Sequence, residues 1–282
     1  MQSVKGSGLF NETIVLESAS LHRDVQVDFY LPGRVEDPSS LRLLLINDGQ
    51  DLPVMDFSKI LGDLYGGKLL HPILCAGIHA SRDRKMEYGV AAMTDYQGRG
   101  AKAAQYTGFV FSELIPYILN QYKITGFAEQ AFAGFSLGAL SALDIVWNHP
   151  DSFTVAGLFS GSFWWRMKDQ KDPAYNDDTD RIMHRQVREG GYHPGLKFFF
   201  ECGTKDELED RNGNGIIDSI DDTQDLIKEL VKKGYDPRKD IRYLEIPDGR
   251  HDVVTWGLAM PGFLQWFAGR NGHLAENTRP VA

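Results

Sequence analysis

The sequence predicts an α/β fold with a mostly parallel sheet, and two features carry the prediction. From about residue 42 onward, short runs that are apolar on both faces alternate with segments whose apolar residues recur at helical spacing. Ahead of them, ETIVLESASL and RDVQVDFYLP alternate apolar and polar residues, as strands with one wet face do. The expected architecture is a central sheet covered by helices on both faces, with antiparallel strands at its N-terminal edge.

Individual elements follow from the same patterns. The buried strands are predicted at 42–48, 71–80, 129–135, 153–160, 196–204 and 241–247. The helices are predicted at 103–122, 137–149, 221–234 and 254–269. Because no linker or repeat divides the chain, we expect a single domain over residues 1–282, with a cap-like excursion at 163–195 and a distinctive loop at 210–221.

Composition limits the classes of function. A content of 42% hydrophobic and 24% charged residues is typical of a soluble globular protein. The net charge of −9 argues against nucleic acid or an anionic membrane as a partner. No signal peptide and no apolar run of the ~18 residues that a membrane span needs are found, so a cytoplasmic location is expected. Cys75 and Cys202 lie in apolar runs and are expected to be buried free thiols. The oligomeric state is not indicated.

The chemistry concentrates in AFAGFSLGALSAL, residues 131–143. Gly134, Ser136 and Gly138 form a GxSxG motif between an apolar strand and an apolar helix. In that setting the turn is so sharp that side chains at the flanking positions would clash, and the serine hydroxyl is lifted above the helix N-terminus. Ser136 is therefore predicted to be a catalytic nucleophile.

A serine hydroxyl needs a base, and after such an elbow the chain order is serine, acid, histidine. Of the eight histidines, this order leaves His251, in the turn PDGRHDVVTW, and His273, in a polar tail that offers nothing to fix it. We select His251 as the base. Asp206, at the carboxyl end of the strand LKFFFECGT, is predicted to orient the imidazole. The carboxylates that compete for this role are Glu207, Asp210 and Glu201.

An oxyanion hole needs two backbone N–H groups. The residue after the nucleophile, Leu137, supplies one, and the turn INDGQDL supplies the second from the amide of Gln50 or Asp51. An ordinary Asp-Gly turn is the alternative interpretation of that stretch.

Together these residues resemble an esterase family of α/β-hydrolases that includes enterochelin (siderophore) esterases, feruloyl and acetyl xylan esterases and S-formylglutathione hydrolases. The resemblance covers about residues 10–268 and is carried by GFSLGALSALDIVWNHPDSFTVAGLFSGSFWW, NDGQDL, RDRKMEYG, ELIPYI, ECGTKDE and GRHDVVTW. It implies the α/β-hydrolase fold and the same roles for Ser136, Asp206 and His251. The family usually shows Gly-Gly-His before the base, whereas this chain has Gly-Arg-His.

The excursion is where this fold builds its acyl pocket, and Trp164, Trp165 and Arg166 are predicted to bind the substrate. Two core tryptophans at a strand end are an equal alternative for the aromatic pair. The arginines that would suit an anionic substrate are Arg166, Arg181, Arg185 and Arg188. Neighbouring aspartates would neutralise them if the segment is only a solvated surface. We expect the substrate to be a small ester, and a siderophore, feruloyl or carbohydrate ester are the candidates.

The stretch DRNGNGIIDSID, residues 210–221, has the ligand rhythm of a twelve-residue calcium loop. The predicted metal ligands are Asp210, Asn212, Asn214, Ile216 through its carbonyl, Asp218 and Asp221. The loop ends in Asp instead of Glu, as dockerin-type loops do, and no entering helix precedes it. We expect a structural Ca²⁺ and no organic cofactor; an accidental pair of Asn-Gly turns is the alternative.

Three functions remain open at this point. A serine carboxylic-ester hydrolase with an acyl-serine intermediate accounts for the whole set of catalytic residues. An acyltransferase would use the same acyl-enzyme and differ only in its acceptor. A calcium-dependent binding module with an idle hydrolase fold is the alternative from another class, but binding alone has no need of Ser136, Asp206 and His251 together.

Overall fold

The computed structural model describes residues 8–33, 35 and 37–270, and an eight-stranded sheet lies at its centre. The strands are β1 Leu9–Ser18, β2 Arg23–Pro32, β3 Arg42–Asn47, β4 Ile73–Ile78, β5 Gln130–Phe135, β6 Val155–Phe159, β7 Lys197–Lys205 and β8 Ile241–Arg250. They are ordered β1-β2-β4-β3-β5-β6-β7-β8. β2 runs antiparallel to β1 and β4, and the remaining pairs are parallel. The predicted fold class is confirmed.

Helices cover both faces of the sheet. They are α1 Phe57–Gly66, α2 Arg84–Glu87, α3 Ala103–Phe109, α4 Ile115–Gln121, α5 Leu137–Asn148, α6 Asp177–Asp180, α7 Ile182–Glu189, α8 Asp218–Lys233 and α9 Val253–Ala268. One apolar core lies between the sheet and α1 with α9, and a second, larger core lies between the sheet and α3, α4, α5, α7 and α8. Every central strand is therefore buried on both sides, which explains its unbroken apolar sequence.

Helices α1 and α2 were not predicted, and the elements differ from the sequence prediction in three further places. The segment predicted as one helix over 103–122 is α3 and α4 joined by a π-helical turn at Val110–Leu114. The excursion contains α6 and α7, which were not predicted, and α8 begins at Asp218, inside the predicted calcium loop. Both cysteines are buried free thiols, as predicted. His273 lies outside the described residues, and no helix of the described chain is both long and apolar enough to cross a bilayer.

In the turn between β5 and α5, which carries the predicted nucleophile, the backbones of Gly134 and Gly138 approach each other closely. A Cβ added to Gly134 would lie 2.4 Å from the carbonyl carbon of Gly138, a distance that real Cβ atoms do not show. The side-chain amide of Asn47, at the end of β3, donates to the carbonyl of Gly138 at 2.7 Å. The neighbouring strand thus holds the first turn of α5 against β5.

We expect Gly134→Ala to lower the free energy of unfolding by about 2 kcal/mol or more, because the new methyl group meets backbone that cannot move aside. Urea denaturation monitored by circular dichroism measures the change. Gly126→Ala is the matched control, since a Cβ there meets nothing within 4 Å. Equal stabilities of the two variants would contradict the tight approach at Gly134.

Candidate active site

The predicted nucleophile sits in a strained backbone conformation directly after β5. Ser136 has φ 55° and ψ −120°, outside the regions that side chains other than glycine favour. Its amide donates to the carbonyl of Phe159 at 2.9 Å, which fixes the turn to the end of β6. A non-glycine residue at such a position costs about 1–3 kcal/mol and is characteristic of functional sites.

A second serine contacts the first. The hydroxyl oxygens of Ser136 and Ser162 are 3.3 Å apart, and the amide of Ser162 donates to the carbonyl of Ser136 at 3.1 Å. Ser162 is buried and belongs to the Ser-Gly-Ser turn after β6, and a role for it at the site was not predicted. This contact places the start of the excursion against the nucleophile.

His251 lies at the same edge of the sheet, in the loop between β8 and α9. Its ring meets the indole of Trp256 edge-on, with centroids 5.4 Å apart, and that indole stacks on Phe135, the residue before Ser136. No hydrogen bond in the described part of the chain joins His251 to Ser136. Such bonds are often long before a substrate binds, so the arrangement remains compatible with a nucleophile and its base.

Asp206 follows β7 and faces His251. Both of its carboxylate oxygens are buried without a hydrogen-bond partner in the described structure. Burial raises the pKa of Asp206, while the nearby Ser160 hydroxyl and the imidazole of His251 oppose that shift. Conversely, burial lowers the pKa of His251, and the charge of Asp206 opposes it. The two side chains therefore act on each other, as an acid and a base in one site do.

The competing carboxylates have other neighbours. Glu207 lies beside the backbone of Ser219, and burial raises its pKa to about 7. Glu201 is fully buried within β7, and burial, followed by the charge of Asp206, raises its pKa well above the ordinary value. Asp210 accepts hydrogen bonds within its own loop. Of the four carboxylates, the surroundings of Asp206 fit the predicted acid best.

The predicted oxyanion donors differ in whether their N–H groups already form a hydrogen bond. Leu137 is the first residue of α5, so its N–H has no carbonyl one turn earlier to bind. The amide of Asp51 donates to the carbonyl of Asp48 at 2.9 Å and is already engaged. Between the two alternatives for the second donor, the geometry favours Gln50 over Asp51.

An ion pair that the sequence analysis missed supports this turn. Asp48, with a left-handed φ of 60°, receives two hydrogen bonds of 2.7 Å from the guanidinium of Arg84. Arg84 also donates to the carbonyl of Phe135 at 3.2 Å. Arg84 belongs to the RDRKMEYG stretch, but nothing in the sequence indicates that its partner lies 36 residues earlier.

The predicted substrate residues separate into two groups. Trp165 is 0% exposed, and its ring packs so closely on Gly89 and Gly100 that a Cβ on either would lie 3.0–3.1 Å from it. This packing favours the alternative that Trp165 is a core tryptophan, and its role in binding substrate stays a prediction. Trp164 and Arg166 are only partly buried and remain available.

The other arginines of the excursion are bound by carboxylates. Arg181 pairs with Asp222 and Asp225, whereas Arg185 pairs with Glu189. Arg188 pairs with Glu229. Three of the four arginines that would suit an anionic substrate are thereby neutralised.

The predicted calcium loop is closed by its own side chains. Asp221 accepts from the amides of Asn212 at 2.8 Å and Asn214 at 2.7 Å, and Asp210 accepts from the backbone of Asn214 and Gly215. Three other predicted ligands therefore lie around Asn214, and two of these three are carboxylates. The amide of Ile216 donates to Asn214 at 2.8 Å, and its predicted use as a carbonyl ligand is untested.

Asp218 differs from the expectation. Asp218 is the first residue of α8 and is buried beneath the loop. Its carboxylate accepts a hydrogen bond from the backbone N–H of Arg211 at 2.8 Å and lies 3.3 Å from the guanidinium of Arg211. Among residues 8–33, 35 and 37–270, no three Asp, Glu, His or Cys side chains are placed to hold one metal ion. The oxygen-rich loop fits calcium chemically only through Asp210, Asp221 and neutral amides, and calcium stays a prediction.

Arg211 also connects this loop to the excursion. Its guanidinium contacts Asp222 of α8 at 2.5 Å and Asp177 of α6 at 3.0 Å. Asp222 is nearly fully buried between Arg211 and Arg181. The second residue of the loop is therefore part of the ion network that holds α6 and α7 on α8.

Comparison with known proteins decides the family. The profile of the family described as "Putative esterase" matches residues 18–267. The chain belongs to this family. A search of curated proteins gave no significant match.

Solved structures share the fold. Enterochelin esterase from Shigella flexneri superposes with a TM-score of 0.69 at 21% identity, over 94% of this chain and 59% of that one. An IroE-like serine hydrolase from Shewanella oneidensis gives 0.65 at 18% identity, over 92% and 80% of the two chains. The siderophore hydrolase EstA from Aspergillus nidulans gives 0.65 at 15%, over 94% and 97%. This chain thus spans only about three-fifths of the Shigella esterase.

We predict an acid limb in the pH profile of kcat/KM whose midpoint lies below ~6.5, the ordinary pKa of histidine. General-base catalysis requires the neutral imidazole, and burial of His251 disfavours the charged form, so activity persists to lower pH. Initial rates on a neutral ester between pH 4 and 9 measure the midpoint. A midpoint above that of free histidine would show that the charge of Asp206 outweighs burial.

For the loop, we predict that added Ca²⁺ raises the melting temperature and that chelation lowers it, since an ion would offset the repulsion between Asp210 and Asp221. Differential scanning calorimetry of wild type and Asp221→Asn tests this, because the variant should lose the response. Asp63→Asn, an exposed change outside the loop, is the control. An equal calcium response in wild type and Asp221→Asn would refute the site.

Proposed function

We propose that this protein is a serine carboxylic-ester hydrolase. The observation that supports the proposal most directly is the strained backbone of Ser136 at an edge of the sheet to which the ends of β7 and β8 also bring Asp206 and His251. Membership of an esterase family agrees with this chemistry. The fold alone would not justify it, because one fold supports many functions.

The mechanism follows from the positions of these groups. His251 accepts the proton of the Ser136 hydroxyl as the oxygen attacks the ester carbonyl, and Asp206 stabilises the imidazolium that forms. The amides of Leu137 and Gln50 donate to the developing oxyanion. His251 then returns the proton to the leaving alcohol, and the same base activates the water that releases the acid from Ser136.

Burial of Asp206 and His251 affects the proposed reaction in two ways. Both carboxylate oxygens of Asp206 are buried, so water screens their attraction to a neighbouring imidazolium little. Burial also lowers the pKa of His251, which favours the neutral imidazole before the reaction. The base is therefore ready to accept a proton, and the acid is placed to stabilise it afterwards.

Ser136→Ala should leave the protein folded and lower kcat by about 10³-fold or more, because members of a catalytic unit act together. The assay uses p-nitrophenyl acetate and butyrate, with circular dichroism to verify folding. Asp206→Asn should slow turnover by up to ~10⁴-fold by analogy with a serine protease in which the acid was changed. Glu207→Gln is its matched control.

Three outcomes would change the proposal. A Ser136→Ala protein that kept most of its activity would refute the nucleophile. A Glu207→Gln variant impaired more than Asp206→Asn would move the acid by one residue. If added alcohol captured most of the acyl group at low concentration, the protein would be an acyltransferase, which uses the same acyl-serine.

A further inference from the structure

Arg166 differs from the other arginines of the excursion because it forms no ion pair in the described structure. Its guanidinium lies over three rings, with distances to the centroids of 5.7 Å for Trp164, 5.8 Å for Tyr175 and 5.9 Å for Tyr96. Its Nε atom is buried without a hydrogen-bond partner. We call Arg166 with these three aromatic residues the Arg166 bracket.

A neighbouring arginine shows what completes such an arrangement. Arg99 lies over Trp164 at 5.0 Å and Trp165 at 5.3 Å, but it also donates to the buried carboxylate of Asp95 at 2.6 Å. The face of an aromatic ring attracts the guanidinium cation, but it accepts no hydrogen bonds from the N–H groups that lie in the guanidinium plane. The Arg166 bracket has the rings and lacks the carboxylate.

The bracket lies within reach of the proposed nucleophile. Ser162, whose hydroxyl is 3.3 Å from that of Ser136, precedes Arg166 by four residues, and four residues span at most about 14 Å. The chain between them is folded back, because the amide of Trp165 donates to the carbonyl of Ser162 at 3.2 Å. The bracket and the hydroxyl of Ser136 are therefore separated by no more than the length of a small molecule.

We propose that the Arg166 bracket binds a carboxylate carried by the substrate, so that the preferred substrates are esters with a free carboxylate remote from the scissile bond. The planar two-oxygen group matches the guanidinium fork, and the rings beside it exclude water from the pair. This inference rests on the proposed esterase function and adds the substrate class. A bound carboxylate would supply the hydrogen-bond acceptor that the buried Nε of Arg166 lacks.

The test compares matched pairs of esters. One series consists of p-nitrophenyl monoesters of straight-chain dicarboxylic acids from adipate to sebacate, and its twins carry a terminal carboxamide of the same shape. We expect wild type to prefer the acid over the amide in kcat/KM by about tenfold or more at the best chain length. Arg166→Gln should abolish that preference, with the loss in kcat/KM falling mainly on the acid esters.

Two further variants refine the test. Arg166→Lys keeps the charge without the fork and should retain part of the preference. Arg185→Gln, which removes an exposed arginine already paired with Glu189, is the matched control and should behave as wild type. Equal rates on acid and amide twins, or an Arg166→Gln variant impaired equally on both, would overturn the inference.

Binding separates this inference from the proposed function. Isothermal titration of Ser136→Ala protein with the same esters should show tighter binding of the acid twin, and a second change of Arg166→Gln should remove the difference. Selective binding without hydrolysis by wild type would refute the esterase and retain the bracket. Hydrolysis without selectivity in either assay would refute the bracket and retain the esterase.

Discussion

The approach of Gly134 to Gly138 is the constraint on which the proposed site depends. The space between the two backbones admits no Cβ, and Ser136, at the turn from β5 into α5, has a positive φ. The strained backbone of Ser136 costs about 1–3 kcal/mol. The surrounding contacts offset this cost, and they include the hydrogen bonds from Asn47 to Gly138 and from Ser136 to Phe159. A hydroxyl on such a turn has little freedom to move, which is what a nucleophile requires.

The ends of the neighbouring strands are tied to the same turn. Arg84 binds Asp48 on one side and the carbonyl of Phe135 on the other, so the proposed oxyanion turn and the elbow share one guanidinium. On the opposite side, a Cβ at Gly203 would meet both Gly249 and Asp206. The ends of β7 and β8, from which the acid and the base follow, therefore pack backbone to backbone.

The sequence predicted the sheet well because buried parallel strands leave an unbroken apolar pattern. Ser136, His251 and Asp206 were found because elbow context and chain order restrict the choice, although the roles themselves stay a prediction. Trp164 and Trp165 could not be separated, since adjacent residues in a turn face different surroundings. The pairing of Arg84 with Asp48, and the lack of a partner at Arg166, are tertiary facts that spacing does not encode.

Helices α6 and α7 were not predicted, because contacts with other parts of the fold hold them in place. α6 consists of four polar residues, and the apolar face of the short helix α7 is only Ile182, Met183 and Val187. In addition, α7 is held on α8 partly by ion pairs, such as Arg181 with the buried Asp222. A buried charge of this kind is destabilising when its partner is removed, so the network specifies one position for the excursion.

Arg211 gives this network a further property. Because it is both the second residue of the loop at 210–221 and a direct neighbour of Asp177 and Asp222, any event that reshapes the loop must also shift the electrostatic balance beneath the excursion. Linkage is reciprocal, so if cation binding at the loop shifted the excursion, a ligand of the excursion would change the cation affinity by the factor by which the cation changed its own. The loop and the excursion meet at the guanidinium of Arg211.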